Sequence, residues 1–384
     1  MNQLKKKLKV VALIGMALVA GDIYAQGDWR AEKKIVRLAT GVTMSYVERG
    51  KQGGLPVVLL HGLSDTSKSY KQTIDAMLTE DPELHVFAFD LRGHGDTTLP
   101  DPEPCAESPQ FCFRMRDFAN DIIAAMDNLK LDRVHMVGHS LGSFVTQEIA
   151  LLFPDRLYSI TLIGSAVATN TNPALVEFIS NETVRGQWRK AFRKNVKGTW
   201  PKDVYLLTPS DVDPFADRWM KENWVVEPTA EPDFLESIFT DTRKIPLGTW
   251  VGTSEMLREW DNRDRIKSLR VPTLVLWSTQ DSMFPKTPDQ DLLLSSLKAA
   301  SERDLPRYFF KVYGKEPLPE SGFTENDYGH NTHWGAPLAV ASDLVSFFRA
   351  GVPTNDFPYA DKADCRVERK DADSAQILSS AKLK

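Results

Sequence analysis

The chain lacks several features that would assign it to other classes of protein. Its 384 residues hold 47 Lys and Arg against 52 Asp and Glu, so there is no excess of basic charge for nucleic-acid binding. The N-terminal apolar stretch at 10–20 is shorter than the roughly 20 residues that a transmembrane helix requires. No internal repeat is found. Because basic charge is not in excess, we expect no nucleic-acid partner and no polyanionic substrate.

The N-terminus has the pattern of a secretory signal peptide. Lysines at positions 5, 6, 7 and 9 precede the apolar stretch, and the small-residue site ends at Ala25. An uncleaved membrane anchor is the alternative. We expect residues 1–25 to be removed after Ala25, and the mature protein to reach the periplasm or the medium without a stable membrane span.

Cysteine is scarce, with only three in the chain. Cys105 and Cys112 flank a short polar loop, and an oxidising compartment would allow them to form a disulfide. Two free thiols are the alternative. Cys365 lies in a polar C-terminal tail, residues 354–384, and has no obvious partner.

Short β-rich runs alternate with helical patterns along most of the chain. From the third run onward they are apolar rather than alternating, as expected of strands buried on both faces. The pattern predicts an α/β fold with a mostly parallel, eight-stranded sheet flanked by helices. Helical patterns fall at 69–78, 113–129 and 144–152. The predicted strands are 35–38, 43–48, 57–60, 85–90, 133–137, 159–163, 273–277 and 307–313.

One long segment interrupts this alternation. Residues 166–264 are too many for a connection, so they must have structure of their own. Six of the nine tryptophans fall there. We predict a helical cap at 166–264 inserted into a core of residues 26–165 and 265–353. Most of its aromatic residues are expected to form the cap's own core, and a minority to face the substrate.

The segment Gly138-His139-Ser140-Leu141-Gly142 follows an apolar run and precedes a helical pattern. Such a G-x-S-x-G sequence at a strand-to-helix corner is a nucleophile elbow, which exposes the serine hydroxyl. Gly138 and Gly142 leave room for strand and helix to approach closely. Ser140 is therefore the predicted nucleophile.

A serine nucleophile needs a base, and the base needs a group to orient it. Asp281 follows the apolar run at 273–277, at the carboxyl edge where parallel sheets build their sites. Gly329-His330 comes later and leads into Pro337. We predict His330 as the base, with His333 as its competitor, and Asp281 as the orienting acid.

Acyl transfer also needs backbone amides that stabilise the oxyanion. The N–H of Leu141, at the start of the helix after the elbow, is one predicted donor. The N–H of Leu63 is the other, because Leu63 lies in the loop after the third strand and Gly62 lets that loop bend towards the substrate. His61 is expected to brace the loop rather than to transfer a proton.

Together these motifs resemble those of α/β-hydrolase-fold serine hydrolases of the esterase and lactonase type. The resemblance implies Ser140 as nucleophile, His330 as base, Asp281 as acid, and the amides of Leu63 and Leu141 as oxyanion donors. The chain departs from the family in its long loop at 315–328. The motifs that carry the resemblance are His61-Gly62, Asp90-Leu91-Arg92-Gly93-His94-Gly95-Asp96, the pentapeptide around Ser140, Asp281 with Pro285, and Gly329-His330 with Pro337.

The residues also limit the chemistry. Halide displacement and epoxide opening need a carboxylate nucleophile, which Ser140 is not. The spacing Asp327-x-x-His330-x-x-His333 resembles a metal site, but no further ligands cluster with it, so we expect no metal and no cofactor. The sequence predicts hydrolysis of a small ester or lactone with an apolar part. Cleavage of C–C bonds or amides, perhydrolysis, and a non-catalytic ligand-binding module are the alternatives.

Overall fold

A computed structural model describes residues 28–302, 308–314 and 328–354. The predicted signal peptide at 1–25, all but the last residue of the predicted loop at 315–328, and the tail from 355, with Cys365, lie outside the described residues. Residues 28–33 belong to a small compact unit that ends at Lys33, where they form turns. The larger unit begins at Lys34 and contains the sheet and its helices.

The larger unit is built on one eight-stranded sheet in the order β1-β2-β4-β3-β5-β6-β7-β8. The pairs β1–β2 and β2–β4 are antiparallel, and all other neighbours are parallel. This confirms the predicted mostly parallel α/β architecture. The strands are β1 Lys34–Arg37, β2 Thr43–Gly50, β3 Leu55–Leu60, β4 Leu84–Phe89, β5 Val134–His139, β6 Leu157–Ile163, β7 Thr273–Ser278 and β8 Tyr308–Tyr313.

Burial explains why the apolar runs identified the central strands. Every residue of β4, β5 and β7 is buried, since helices cover both faces of the sheet there. The edge strand β1 is mostly exposed and is polar at both ends. The first residue of the predicted last strand, at position 307, lies outside the described residues.

Helices outside the segment 166–264 cover the two faces of the sheet. The helical patterns predicted at 69–78, 113–129 and 144–152 correspond to the helices Lys71–Glu80, Met115–Asn128 and Leu141–Leu152. The helices are Lys71–Glu80, Pro102–Cys105, Met115–Asn128, Leu141–Leu152, Asp291–Ser301, Thr332–Gly335 and Pro337–Ala350, with shorter turns at Ser67–Tyr70, Pro109–Cys112, Pro154–Arg156, Arg265–Ser268 and Lys286–Gln290.

We call residues 166–264 the insertion, because they lie between β6 and β7. Its two ends meet: Asn262 N–H donates to Val167 O at 2.8 Å, and Thr169 N–H donates to Trp260 O at 3.0 Å. Trp188 and Trp250 are fully buried inside it and meet edge to face, with ring centroids 5.1 Å apart. Its helices are Ala174–Trp188, Arg189–Asn195, Pro209–Val212, Ala216–Asn223, Pro232–Thr242 and Leu247–Leu257, with a turn at Lys202–Val204.

The structure contains the disulfide predicted between Cys105 and Cys112. Their Cα atoms are 5.9 Å apart, within the usual range for such bonds. Among the helices in the described ranges, none combines the length and the apolar character that a membrane span requires.

Candidate active site

Ser140 occupies the corner between the end of β5 and the helix Leu141–Leu152. Its φ of +48° lies in the left-handed region, which costs a non-glycine residue of order 1–3 kcal/mol. The surrounding structure holds it there: Ser140 N–H donates to Ile163 O at 3.0 Å, and Ser143 Oγ donates to Ser140 O at 2.6 Å. The strained backbone of a nucleophile elbow is therefore present at Ser140.

The elbow glycines are required by close backbone approach. A Cβ on Gly138 would lie 2.2 Å from Gly142 O, and a Cβ on Gly142 would lie 2.2 Å from Leu60 O. A Cβ on Gly62 would lie 3.3 Å from the Cβ of Ser140. The loop after β3 therefore packs directly against the elbow, as an oxyanion loop must.

His330 and Asp281 are in direct contact. Nδ1 of His330 lies 3.0 Å from Oδ1 of Asp281 and 3.1 Å from Oδ2. Oδ1 of Asp281 also accepts the N–H groups of Met283 and Phe284, each at 2.9 Å. An ionised carboxylate only accepts hydrogen bonds, so Nδ1 carries the proton and Nε2 of His330 is the basic nitrogen.

His61 braces the loop that presents Leu63. Its Nε2 accepts the N–H of Leu91 at 2.9 Å, and its Nδ1 lies 2.7 Å from Gly62 O. Since Leu141 is the first residue of its helix, its N–H has no acceptor within that helix. In the described part of the chain, the N–H of Leu63 has no hydrogen-bond acceptor either. Both amides are therefore available to a ligand.

Ser140, His330, Leu63 and Leu141 line one pocket, which is partly open to solvent and has a cavity volume of about 100 Å³. None of the described residues that line it is a lysine or an arginine. Most of the wall is apolar, so the pocket suits an uncharged ligand with apolar parts. The apolar lining residues are Leu63, Leu141, Phe144, Leu175, Trp224, Val225, Val226, Leu257, Met283 and Trp334.

The insertion contributes part of this lining and also holds two of the site's loops. Trp224 Nε1–H donates to Ser64 Oγ at 2.6 Å, next to Leu63. Ser64 has a φ of +59°, a second strained residue beside the site. Of the tryptophans of the insertion, Trp224 faces the pocket, whereas Trp188 and Trp250 are buried away from it.

Glu227 belongs to the site although no motif in the sequence points to it. Its Oε1 accepts the N–H of Gly329 at 2.7 Å, and its Oε2 accepts the N–H of Asn331 at 3.0 Å, on either side of His330. Burial raises its pKa to about 7, although the two backbone N–H groups act in the opposite direction. The contact spans more than 100 residues of sequence, so no local pattern predicts it.

Asp65, His139 and His333 form a second buried group beside the nucleophile. One ligand atom from each lies within 4.8 Å of the others. Within the described residues, Asp65 Oδ2, His139 Nδ1 and both ring nitrogens of His333 have no hydrogen-bond partner. Burial raises the pKa of Asp65 to about 8 and lowers that of His333 to about 3. Two neutral imidazoles and a carboxylate are a donor set that zinc accepts, provided that Asp65 loses its proton on binding.

This group differs from the metal-like spacing in the sequence. Asp327 lies outside the described residues, and His330 is bonded to Asp281. His333 is buried and its ring packs against Tyr70 at 4.7 Å. Of the two histidines that compete for the role of base, only His330 is bonded to a carboxylate in the described structure and lines the pocket with Ser140.

Comparison with known proteins identifies a family and several similar proteins. The sequence model of a family described as having the alpha/beta hydrolase fold matches residues 56–300, which is more than half of the chain. The chain is 26% identical over 263 residues to the dihydrolipoyllysine-residue acetyltransferase component of the acetoin cleaving system of Pseudomonas putida, covering 66% of this chain and 60% of that protein. It therefore spans less than two thirds of that relative's length.

Two lactonases are also similar. The chain is 21% identical over 247 residues to 3-oxoadipate enol-lactonase 2 of Acinetobacter baylyi, covering 63% of this chain and 78% of that protein. The solved structure of the enol-lactonase from Burkholderia xenovorans superimposes with a TM-score of 0.56 at 18% identity, covering 82% of this chain and 99% of that one. At such identity the structural likeness shows the fold alone.

Proposed function

The chain belongs to the α/β-hydrolase fold family, and on that premise we propose that it is an exported serine hydrolase that cleaves a small carboxylic ester or lactone. The observation that carries the proposal is the contact of His330 with both oxygens of Asp281, while His330 itself lines the same pocket as Ser140 at its strained corner. These are the three groups that acyl transfer through a serine requires.

In the proposed reaction, Ser140 Oγ attacks the acyl carbon while Nε2 of His330 takes its proton. The carbonyl oxygen becomes an oxyanion that accepts hydrogen bonds from the N–H groups of Leu63 and Leu141. Asp281 stabilises the imidazolium and holds the ring. The C–O bond to the leaving alkoxide then breaks, and the alkoxide receives the proton from His330.

Deacylation repeats these steps with water. His330 removes a proton from water as the oxygen attacks the acyl-enzyme, and it returns that proton to Ser140 as the acid leaves. No step needs a metal or a cofactor. The products are one carboxylic acid and one alcohol, or a single hydroxy acid from a lactone.

The pocket supports the choice of substrate. Its apolar walls and its lack of lysine and arginine among the described lining residues favour a neutral ester with an apolar part over an anionic one. Asp65, its acidic lining residue, is uncharged at neutral pH because burial raises its pKa to about 8. Similarity to a protein named as an enol-lactonase favours a lactone among the candidates.

We further propose that residues 166–264 act as a cap over the site and that the protein functions outside the cytoplasm. The leader pattern at 1–25 and the disulfide between Cys105 and Cys112 support export, since disulfides persist in oxidising compartments. N-terminal sequencing of the protein from fractionated cells tests this. We expect an exported chain that begins at Gln26, and an intact Met1 in the cytoplasm would contradict the proposal.

A substrate panel tests the chemistry. Purified mature protein would be assayed with short and medium p-nitrophenyl esters, a lactone, an anilide, a β-diketone, and acetate plus hydrogen peroxide, beside Ser140→Ala. We expect esters or lactones to be turned over fastest and the variant to lose activity by about 10⁶-fold. Faster cleavage of the diketone or anilide would contradict ester specificity. Ligand affinity without turnover would indicate a binding module.

A further inference from the structure

We propose that residues 224–227 of the insertion position the catalytic machinery, and that Glu227 is a positioning residue for His330. We call these four residues the strap. The inference rests on the proposed function, because it assigns the strap a role in that reaction. It gives the insertion a second task besides shaping the pocket: fixing the loops that carry the base and an oxyanion donor.

The first support is the contact between Glu227 and the His330 loop. One carboxylate accepts the backbone N–H groups of Gly329 and Asn331, at 2.7 and 3.0 Å. Glu227 is only 3% exposed. Two charge-assisted hydrogen bonds that bracket one residue restrain its backbone on both sides. The hydrogen bonds at Gly329 and Asn331 therefore restrain the backbone of His330 on both sides.

The glycines around Glu227 show that this fit is close. A Cβ on Gly329 would lie 2.9 Å from Oε2 of Glu227, and a Cβ on Gly335 would lie 3.1 Å from Oε1. The chain has glycine at both places where the carboxylate approaches. The side chain of Asn331 adds a further bond from the loop to the strap, donating to Val226 O at 3.0 Å.

The second support is at the other end of the strap. Trp224 donates its indole N–H to Ser64 Oγ at 2.6 Å, and Ser64 follows Leu63, the predicted oxyanion donor. Ser64 has a φ of +59°, a conformation that a non-glycine residue keeps only when its surroundings enforce it. Between the two ends, Val225 and Val226 line the pocket.

The strap thus crosses the pocket from the oxyanion loop to the base loop. Proton transfer and oxyanion stabilisation both depend on sub-ångström placement of these loops, and a displacement of about 1 Å can cost 100-fold in rate. Loss of the strap's hydrogen bonds should therefore lower kcat, because it weakens stabilisation of the transition state more than binding of the substrate.

The charge of Glu227 should make the order of the His330 loop depend on pH, which an uncharged structural residue would not do. The groups that face it are the N–H groups of Gly329 and Asn331, the hydroxyl of Thr229 at 3.4 Å, and the charges of His330 and Asp281. When the carboxyl is protonated, one of its oxygens becomes a donor and accepts an N–H less well. The wild-type protein should therefore hold the His330 loop more tightly above pH 7 than below it.

The test compares Glu227→Gln with Glu222→Gln in the full mature protein. The glutamine side chain at position 227 would keep the shape, but its NH₂ group would face one of the two backbone N–H donors. Glu222 is an exposed carboxylate on the same insertion, 4.0 Å from Arg218, and makes no contact with either loop in the described structure. We expect kcat to fall about 10- to 100-fold in Glu227→Gln with KM changed less than about threefold, and no change in Glu222→Gln.

Two further measurements separate failure of the strap from failure of the proposed function. The amide ¹H shifts of Gly329 and Asn331 need no substrate, and we expect them to move upfield in Glu227→Gln and to titrate near pH 7 only in the wild type. The wild type's own ester hydrolysis reports on the proposed function. If Glu227→Gln fails to fold, Trp224→Phe, which removes the bond to Ser64 together with part of the ring that packs against Trp219 and Trp250, should still lower kcat. Wild-type kcat in folded Glu227→Gln or in Trp224→Phe would overturn the inference.

Discussion

Nδ1 of His330 lies almost equally far from the two oxygens of Asp281, at 3.0 and 3.1 Å. Asp281 is itself fixed by two backbone N–H groups, so the carboxylate can set both the tautomer and the orientation of the ring. This pair makes the half-buried Ser140 a candidate nucleophile, because it leaves Nε2 of His330 free to accept a proton.

Replacing Asp281 should therefore be costly although it does not touch the substrate. Asp281→Asn would offer an amide where the imidazole needs an acceptor, favouring the wrong tautomer, and we expect kcat to fall about 10⁴-fold with KM nearly unchanged. Steady-state kinetics on a p-nitrophenyl ester measures this. Asp264→Asn is the matched control, because its side chain is 96% exposed. A loss of less than tenfold in Asp281→Asn would show that another group orients His330.

The elbow glycines should be required for folding. Gly142→Ala would place a Cβ 2.2 Å from the backbone oxygen of Leu60, which cannot move without disturbing β3. We expect roughly 3 kcal/mol or more of lost stability. Gly53→Ala is the control: its Cβ meets nothing within 4 Å, and only its φ of +74° is strained, at about 1–2 kcal/mol. Urea unfolding compares the two, and equal losses would contradict the close approach.

Glu227 should make stability depend on pH. Its pKa is about 7 in the folded protein against an ordinary value of 4.5, so the fold favours the protonated form. The stability gained from protonation is complete below about pH 4.5 and is lost as the pH rises through 7. Urea unfolding at pH 5 to 8 should show wild type losing about 3 kcal/mol relative to Glu227→Gln. A difference that does not vary with pH would contradict the raised pKa.

Chelation should not affect ester hydrolysis. Asp65, His139 and His333 are a possible metal donor set, but none of them is assigned a catalytic step. We expect dialysis against EDTA to leave kcat within about twofold of its starting value, since the proposed reaction uses only side chains and backbone N–H groups. Loss of activity that Zn²⁺ restores, and that is absent in His333→Ala, would contradict this and assign a metal to the group.

Reduction of the disulfide should lower stability rather than turnover. Cys105 and Cys112 close a short loop, for which loop entropy gives about 2.5 kcal/mol. Neither residue lines the pocket. We expect Cys105→Ser with Cys112→Ser to unfold at lower urea with unchanged kcat, and the wild type to show no free thiol at either position in labelling with iodoacetamide. Labelling of both thiols in the native exported protein would exclude the bond.

Local patterns are sufficient to predict most of the fold and to nominate Ser140, Asp281 and His330 for the candidate site. The central strands can be predicted because burial on both faces makes them continuously apolar, and Ser140 can be predicted because the residues two positions away from it must be small. The roles of Glu227 and Trp224 cannot be predicted from the local sequence. Their partners lie more than 100 residues away in sequence, and the segment that contains them has neither helical nor strand periodicity. Such long-range contacts depend on how the folded chain packs, and a local sequence pattern carries no information about them.

The buried group of Asp65, His139 and His333 escapes prediction for the same reason. Asp65 follows β3, His139 ends β5 and His333 follows β8, so only the assembled sheet brings them together. The spacing in the sequence instead groups His333 with His330 and Asp327, whereas in the structure His330 is hydrogen-bonded to Asp281.

The central claim is that Ser140 is the nucleophile, and covalent labelling tests it most directly. The purified protein would be treated with a fluorophosphonate, its residual ester hydrolysis followed, and the adduct located by peptide mass spectrometry. The account predicts one adduct per chain, on Ser140, formed in step with loss of activity and absent from Ser140→Ala. Labelling of another residue, or ester hydrolysis that persists undiminished in Ser140→Ala, would contradict it.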